Sequence, residues 1–317
     1  MCLSEILSIH PEVADALGAG QPVVALESSI ISHGSSWPAN VETALQVEAE
    51  VRARGAIPAT CAIVNGQIKV GLTRDEIERL GRDGHDVAKV SRRDIALLVA
   101  SEGDGATTIS ATMIIANLAN IRVFASGGLG GVHRGAQETF DISADLQELA
   151  RTPVALVCAG IKSILDVPLT LEYLETHGVP IIGYRTNRLP GFFTRDSEFS
   201  VDMRIDDAHQ IARVMQASLA LGLNNGLVVA NPIPEAFALP REVIDLAIEQ
   251  ALSEADADGI TGKSITPFLI SRVNALTAGA SAAGSVQIGL GNARLASAIA
   301  VAYASLSSEL TPEHSSA

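Results

Sequence analysis

The chain has 317 residues, of which 47% are hydrophobic and 18% are charged, and its formal net charge is −14. This balance excludes a disordered acidic tail and a coiled coil. The acidic excess argues against a nucleic-acid partner, which requires clustered Lys and Arg. No run of 18 apolar residues occurs, the three cysteines are scattered, and the first 20 residues lack the basic start of a signal peptide. We therefore expect a cytoplasmic protein that does not bind a membrane.

The predicted elements alternate between strands and helices along the chain. In chain order the patterns predict a strand (22–26), a helix (40–54), a hairpin (61–70), two helices (73–81 and 112–119), a strand (123–125), a helix (144–150), a strand (154–159), a helix (164–175), a strand (180–184), a helix (206–221), a strand (227–230) and two helices (241–255 and 285–306). Three local signals support them: Asn40 as an N-cap, Asn65-Gly66 as a type I′ turn, and Thr73 with Glu76 as a capping box. The pattern predicts one α/β domain over residues 1–317, with a mixed, mainly parallel sheet and helices on both faces.

Polar clusters follow several of the predicted strands. They lie at 27–33, 127–134, 160–163 and 231–232. Because ligands bind beyond the carboxyl ends of strands in such folds, we expect these clusters to form one site. Two weak motifs carry no assignment: residues 128–133 lack the third glycine of a dinucleotide fingerprint, and Ala257 replaces the first glycine of a P-loop ending at 262–264.

Lysine is scarce in this chain. Only four of the 22 basic residues are lysines, at positions 69, 89, 162 and 263. A lysine can lose its proton and act as a nucleophile, which an arginine cannot do, so Lys162 at a predicted strand end is a candidate for an imine with a carbonyl substrate. The alternative is that Lys162 neutralises a nearby acid such as Asp166. Glu27, at another strand end, is either a general acid or an ordinary loop carboxylate.

The segment 130–148 concentrates charged and hydroxyl side chains. It contains His133, Arg134, Glu138, Asp141, Ser143, Asp145 and Glu148. Oxygen ligands at Asp141, with Asp145 nearby, suit Mg²⁺ or Mn²⁺. The alternative is a capped helix N-terminus, with Asp141 or Ser143 as the cap. A lysine, a carboxylate and a hard-metal site together indicate sugar or carbonyl chemistry through an imine.

Longer motifs resemble one enzyme family over nearly the whole chain. They lie at 25–34 (ALESSIISHG), 57–60, 89–94, 105–113, 130–149 (GGVHRGAQETFDISADLQEL), 157–166 (VCAGIKSILD), 170–180, 231–235 and 262–269. This set resembles the pseudouridine-5′-phosphate glycosidases. The resemblance implies a homotrimeric α/β protein that uses Mn²⁺ or Mg²⁺ and reversibly cleaves the C–C bond between uracil C5 and C1′ of ribose 5-phosphate.

The resemblance also implies a role for each matched residue. Lys162 would attack C1′ of the opened ribose and form an imine, since a carbon leaving group has no lone pair to protonate. Glu27 would donate the proton and Asp141 would hold the metal. The substrate would be contacted by Lys89, Ile109, Ser143, Ala144 and Asp145.

Three segments depart from the family pattern. Ser35-Ser36-Trp37 replaces the usual Met-Pro after the histidine and glycine, residues 183–192 differ, and Ser285 stands where the family has an asparagine that holds the uracil amide edge. This pattern favours a remodelled pocket, with Trp37 and Phe192 as candidate walls. We therefore expect a C-glycosynthase that joins ribose 5-phosphate to a small aromatic aglycone in natural-product biosynthesis. The alternatives are a pseudouridine-5′-phosphate glycosidase and a non-catalytic sugar-phosphate binding protein, which the retained Lys162 and Glu27 disfavour.

Overall fold

Eleven strands form one mixed sheet in the computed structural model, which describes residues 2–260, 262 and 265–309. The strands are β1 Leu7–Ile9, β2 Val23–Leu26, β3 Ile57–Val64, β4 Gln67–Val70, β5 Ala88–Val90, β6 Gly105–Thr107, β7 Val123–Ala125, β8 Ala155–Cys158, β9 Ile181–Tyr184, β10 Met203–Ile205 and β11 Leu227–Ala230. Lys263 and Ser264, which belong to the rejected P-loop match and to one family motif, lie outside the described residues.

The helices cover both faces of the sheet. They are α1 Leu3–Ile6, α2 Pro11–Gly18, α3 Ser29–His33, α4 Ala39–Ala53, α5 Arg74–Asp83, α6 Arg92–Ala100, α7 Ile109–Leu118, α8 Ala136–Thr139, α9 Ala144–Leu149, α10 Val167–Thr176, α11 Ala208–Ala220, α12 Arg241–Ala257, α13 Ile265–Leu276 and α14 Ala280–Glu309. Alternate residues of a strand enter two different cores: Val23 and Ala25 of β2 belong to one, and Val24 and Leu26 to the other. Both faces of the sheet are therefore buried, as expected for parallel strands.

The strand register sets where the site lies. The sheet runs β1-β4-β3-β2-β7-β8-β11-β9-β10, with β5 and β6 joined through β3, and the described pairs are parallel except β3 with β4 and β3 with β6. Leu26 pairs with Ala125, and Cys158 pairs with Ala230. The chain therefore leaves β2, β7, β8 and β11 at one edge, which confirms the predicted fold class and brings the clusters after these strands together.

Two predicted turn signals are confirmed. Asn65 and Gly66 have φ angles of 51° and 74°, as a type I′ turn requires, and they join the antiparallel strands β3 and β4. The Thr73 hydroxyl accepts the backbone N–H of Glu76, whose carboxylate accepts the N–H of Thr73, so the capping box starts α5.

Three predicted details are wrong. Asn40 is not an N-cap but lies inside α4, where its buried amide donates to the carbonyls of Ile31 (2.7 Å) and Gly81 (2.9 Å). The helix predicted from 164 starts at Val167, because Asp166 caps it and Pro168 occupies its first turn. The segment 27–33, expected to be a loop, contains the short helix α3.

None of the helices in the described ranges is both long and apolar enough to cross a lipid bilayer.

Candidate functional site

Glu27 is the first residue after β2, and its carboxylate is buried. Ser29, at the start of α3, donates its hydroxyl proton to Oε2 at 2.5 Å. The hydroxyl of Ser126, the first residue after β7, donates to Oε1. Each oxygen of the Glu27 carboxyl group therefore has a serine hydroxyl as its partner.

A glycine loop, residues 127–131, follows Ser126 and lies against Lys162. The backbone N–H of Lys162 donates to the carbonyl of Leu129 at 3.0 Å, and Leu129 in turn donates to the carbonyl of Gly160 at 3.0 Å. A Cβ added to Gly128 would collide with the ring of Phe192 and lie 3.3 Å from Cγ of Lys162. The absence of a side chain at Gly128 therefore lets both Lys162 and Phe192 pack against the loop.

The ammonium group of Lys162 has no ion-pair or hydrogen-bond partner among the described residues. Asp166, the acid that the alternative interpretation assigned to it, instead accepts the backbone N–H of Leu169 at 3.0 Å and caps α10. Neutralisation of the Asp166 charge therefore does not explain why a lysine occurs at position 162. A half-buried amine at the carboxyl edge of a parallel sheet is placed as a nucleophile requires.

Asp145 joins the glycine loop to the start of α7. Its buried carboxylate accepts the N–H of Ser110 at 3.0 Å and the N–H of Gly130 at 3.2 Å. Ser143 is the N-cap of α9 and accepts the N–H of Asp145 at 3.3 Å. A Cβ on Gly130 would collide with both side chains. The structure thus brings Ser143, Ala144 and Asp145 together with the backbone next to Ile109, whose own side chain is buried in the core.

Asp141 lies in the same segment, opposite the backbone of His133. The N–H of His133 donates to the carbonyl of Asp141 at 2.9 Å, and the half-buried Asp141 carboxylate accepts no hydrogen bond from the described residues. Burial lowers the pKa of His133, Asp141 opposes this effect, and the charges of Lys162 and Lys89 add to it. The charges of Lys162, Lys89 and Asp141 therefore all act on the pKa of His133. In the described ranges, three His, Cys, Asp or Glu side chains nowhere converge as metal ligands.

Lys89 comes from β5 and acts on a second histidine, His33, at the end of α3. Burial first, and then the charges of Lys89 and His85, lower the pKa of His33 to about 4. His33 Nδ1 lies 3.2 Å from Nδ1 of His85, and its Nε2 is buried without a hydrogen-bond partner in the described part of the chain. The scarcity of lysine in the sequence identified Lys89 and Lys162 as candidate site residues, but it gave no indication of His33 or His133.

Ser285 differs from the other predicted site residues in its exposure. It lies near the start of α14, and its hydroxyl donates to the carbonyl of Ser281 at 3.0 Å. The adjacent Gly284 packs near Ile233 and Phe193. Of the two predicted pocket walls, Phe192 is buried beside Gly128, whereas Trp37 is 56% exposed. The structure therefore brings Phe192 to Lys162 and leaves Trp37 at the surface.

Sequence reasoning missed two residues that support this site. Ser126 donates to Glu27, and Asn292 of α14 donates to the carbonyl of Ser126 at 2.7 Å. The position of Ser126 directly after a predicted strand is a signal that could have identified it. Asn292 carries no such signal, because only the packing of α14 on β7 brings its amide there.

A family model for indigoidine synthase A-like proteins matches residues 12–302. The pseudouridine-5′-phosphate glycosidase of Hahella chejuensis is 59% identical over 301 residues, covering 95% of this chain and 99% of that protein. The pseudouridine-5′-phosphate glycosidase of Escherichia coli is 60% identical over 299 residues, covering 94% and 96%.

Two solved structures share the fold over nearly the whole chain. The prealnumycin C-glycosynthase AlnA in complex with ribulose 5-phosphate superposes with a TM-score of 0.89 at 39% identity, covering 96% of this chain and 99% of AlnA. An indigoidine synthase A-like protein from Thermotoga maritima gives a TM-score of 0.85 at 34% identity, covering 93% and 96%.

Proposed function

The chain belongs to the family of indigoidine synthase A-like proteins, and we propose that it cleaves pseudouridine 5′-phosphate into uracil and ribose 5-phosphate. The observation that carries the proposal is Lys162, a half-buried amine beside the glycine loop for which the described structure offers no other partner. Relatives that are 59% and 60% identical are pseudouridine-5′-phosphate glycosidases, which supports this reaction over the C-glycosynthase expected from the sequence.

The side chains at this edge of the sheet can account for each bond and each proton of the proposed reaction. Nζ of Lys162 bonds to C1′ as the ribose ring oxygen leaves with a proton. The C1′–C5 bond then breaks, C5 of uracil takes a proton from Glu27, and the nitrogen lone pair forms the imine. Water hydrolyses the imine and releases ribose 5-phosphate, and the proton that Lys162 gains in this step passes through solvent to Glu27, which restores both side chains. Lys89, and the 143–145 segment next to Ile109, would hold the sugar phosphate.

Ser285 supports a second candidate, a C-glycosynthase. A side-chain amide at this position would offer a donor and an acceptor to a uracil edge, whereas the hydroxyl of Ser285 is committed to Ser281. The same imine would then be attacked by a carbon of an aromatic aglycone. AlnA, at 39% identity, is a C-glycosynthase of this fold.

A direct assay separates these candidates. The protein is incubated with pseudouridine 5′-phosphate, and with uridine 5′-phosphate as the N-glycoside control, and uracil and ribose 5-phosphate are measured by chromatography. We expect uracil from the first substrate only. Absence of uracil, together with a borohydride-trapped adduct of Lys162 with ribose 5-phosphate, would support the synthase; absence of both would refute imine chemistry at this site.

We also propose that Asp141 holds Mn²⁺ or Mg²⁺. A carboxylate that accepts no hydrogen bond from the described residues fits a hard cation that keeps most of its waters, and the lack of a cage of three ligands excludes a structural zinc-type site in the described ranges. When bound, the cation supplies positive charge to substrate oxygens. Calorimetry with Mn²⁺ should show binding that Asp141→Asn weakens. Full turnover in EDTA would refute the metal requirement.

Assembly as a homotrimer stays a prediction from the family resemblance. Sedimentation equilibrium of the purified protein would test it, and a monomer mass would contradict it.

A further inference from the structure

Glu148 is a fully buried carboxylate on α9. The guanidinium of Arg92, the first residue of α6, donates to it through Nε at 2.7 Å and through Nη2 at 2.9 Å. The hydroxyl of Thr152 is a further donor, and Arg151 adds an ion pair at 3.6 Å. A bidentate pair of arginine and carboxylate fixes the direction as well as the distance between two elements, so the start of α6 is held against α9.

The segment that Arg92 anchors carries Lys89. Lys89 is the central residue of β5, and among the described strands β5 pairs with β6 alone. None of the residues of the following helix α6 is buried, although Ile95, Leu98 and Val99 pack partly against the core. The two hydrogen bonds of Arg92 therefore add a directional tie to a segment that has one strand neighbour and partial packing.

Helix α9 also reaches the loop that lies against Lys162. Asp145 accepts the backbone N–H of Gly130 in this loop at 3.2 Å. Asp145 and Glu148 are three positions apart and are therefore neighbours on the helix surface. One carboxylate of α9 thus holds the glycine loop beside Lys162, and the other holds the segment of Lys89.

Both lysines act on one region of the molecule. Burial lowers the pKa of His133, and the charges of Lys162 and Lys89 lower it further, against the effect of Asp141. The two ammonium groups therefore lie near one imidazole. A ribose 5-phosphate whose C1′ meets Lys162 requires the group that binds its phosphate at a fixed distance from the glycine loop.

Stability alone does not account for the pair of Arg92 and Glu148. A buried ion pair loses hydration, and an apolar pair of similar volume is often as stable or more stable. The side chain of Arg92 is 46% exposed and keeps part of its hydration, whereas the carboxylate of Glu148 keeps none. The pair is better explained by the geometry that it fixes.

We propose that Arg92 and Glu148 are positioning residues that set the place of Lys89 for the phosphate of ribose 5-phosphate. This inference rests on the proposed function for the role of Lys89, and it deepens that function. Arg92 acts through Lys89, since its own Nε and Nη2 donate to Glu148.

The first test is calorimetry of the full chain with ribose 5-phosphate. In Arg92→Met, Glu148 keeps Thr152 and Arg151 as partners, so we expect the variant to fold. Its dissociation constant for ribose 5-phosphate should rise roughly tenfold to a hundredfold, because Lys89 is no longer held in place. Arg92→Lys keeps the charge but not the two parallel hydrogen bonds, and its affinity should fall between the two. If circular dichroism shows that Arg92→Met does not fold, Arg92→Lys carries the test.

Arg151→Met is the matched control. The side chains of Arg151 and Arg92 are each 46% exposed and pair with the same carboxylate, but Arg151 follows α9 and does not belong to α6. Its removal should leave the affinity for ribose 5-phosphate unchanged.

The second test separates positioning from a merely structural role. Lys89→Ala alone should weaken binding of ribose 5-phosphate, and adding Arg92→Met to Lys89→Ala should weaken it no further, because Arg92 acts through the lysine. An Arg92 that only stabilises the fold would lower the affinity equally in both backgrounds.

The two proposals fail in different ways. An unchanged affinity in Arg92→Met, or in Arg92→Lys where it replaces it, overturns the inference even if the wild type releases uracil, and so do equal losses with and without Lys89. A loss confined to the background that has Lys89, in a protein that releases no uracil from pseudouridine 5′-phosphate, supports the positioning role and refutes the proposed reaction. A wild type that does not bind ribose 5-phosphate overturns both.

Discussion

Two regions of the site are built differently. The catalytic edge, defined here as Glu27, Ser126, residues 127–131, Asp145 and Lys162, is mostly buried, and its two carboxylates accept four hydrogen bonds at fixed positions. The base-side segments, defined as 35–37, 183–192 and 281–286, hold the exposed side chains of Trp37 and Ser285. Phe192 is the point where the second region contacts the first, through Gly128.

The contrast shows where this fold tolerates change. A substitution in the catalytic edge removes a partner from a buried charge or forces a side chain into occupied space, and both are strongly unfavourable. A substitution at Ser285 changes an exposed side chain. The sequence departures described above fall in the second region.

Lys162→Ala gives the largest expected effect. Removing the nucleophile should lower turnover of pseudouridine 5′-phosphate on the order of 10⁴-fold and abolish the borohydride-trapped adduct with ribose 5-phosphate, detected by mass spectrometry. Lys69→Ala is the control of matched type, because Lys69 pairs with Glu76 at 3.4 Å away from the site. An adduct that persists in Lys162→Ala would remove Lys162 from the mechanism.

Ser285→Asn tests the base-side segments. If the pocket has lost its uracil partner, restoring an amide should raise kcat/KM for pseudouridine 5′-phosphate by roughly ten- to a hundredfold. Ser285→Asp, of the same shape but without an amide donor, should gain less. If the wild type already has a high kcat/KM for pseudouridine 5′-phosphate and Ser285→Asn does not raise it, the pocket is not remodelled. The protein would then be an ordinary pseudouridine-5′-phosphate glycosidase.

Gly130→Ala tests the packing of the catalytic edge. The new methyl group would meet Ser143 and Asp145, so we expect a loss of about 1–3 kcal/mol in the free energy of unfolding. Gly127→Ala in the same loop is the control, since a Cβ there meets nothing within 4 Å and should change stability by less than about 0.5 kcal/mol. The measurement is urea denaturation. Equal stabilities of the two variants would contradict the close packing.

His33 gives the smallest expected effect, a pH dependence of stability. Its pKa is about 4 in the folded chain, against an ordinary value of 6.5, so the unfolded state binds more protons between these values and stability falls as pH drops from 6.5 to 4. Allowing for solvent screening, the loss is about 1–2 kcal/mol. His33→Gln should flatten this dependence, whereas His209→Gln, at an exposed position, should not. Identical pH profiles for the two variants would refute the assignment.

The fold was predictable because its signals are local. The Asn65-Gly66 turn, the capping box at Thr73 and the apolar runs of β2, β7 and β8 each depend on a few neighbouring residues. The strands β1, β5, β6 and β10 were missed, because each has three residues that include a polar residue or a glycine, whereas the three residues of β7 are all apolar. Asn40 was misassigned because its amide contacts the carbonyls of Ile31 and Gly81, which lie 9 and 41 positions away and belong to no local N-cap pattern.

The candidate site was predictable only in part for the same reason. Strand ends and scarce lysines pointed to Glu27 and Lys162, and the family resemblance supplied their roles. The support from Asn292 was not predictable, because 166 residues separate it from Ser126. The exposure of Ser285 and Trp37 likewise depends on what packs around them, which no local pattern encodes.

Helix α14 carries residues of both regions on one face. Ser285 and Asn292 are seven residues apart, close to two full turns and about 10 Å along the axis. One helix therefore sets the spacing between the amide of Asn292, which donates to the carbonyl of Ser126, and the exposed side chain of Ser285. Inserting a single residue between them would rotate Ser285 by about 100° around the helix axis and leave Asn292 in place. The length of this helical stretch thus sets the position of Ser285 relative to Asn292, independent of the identity of any side chain.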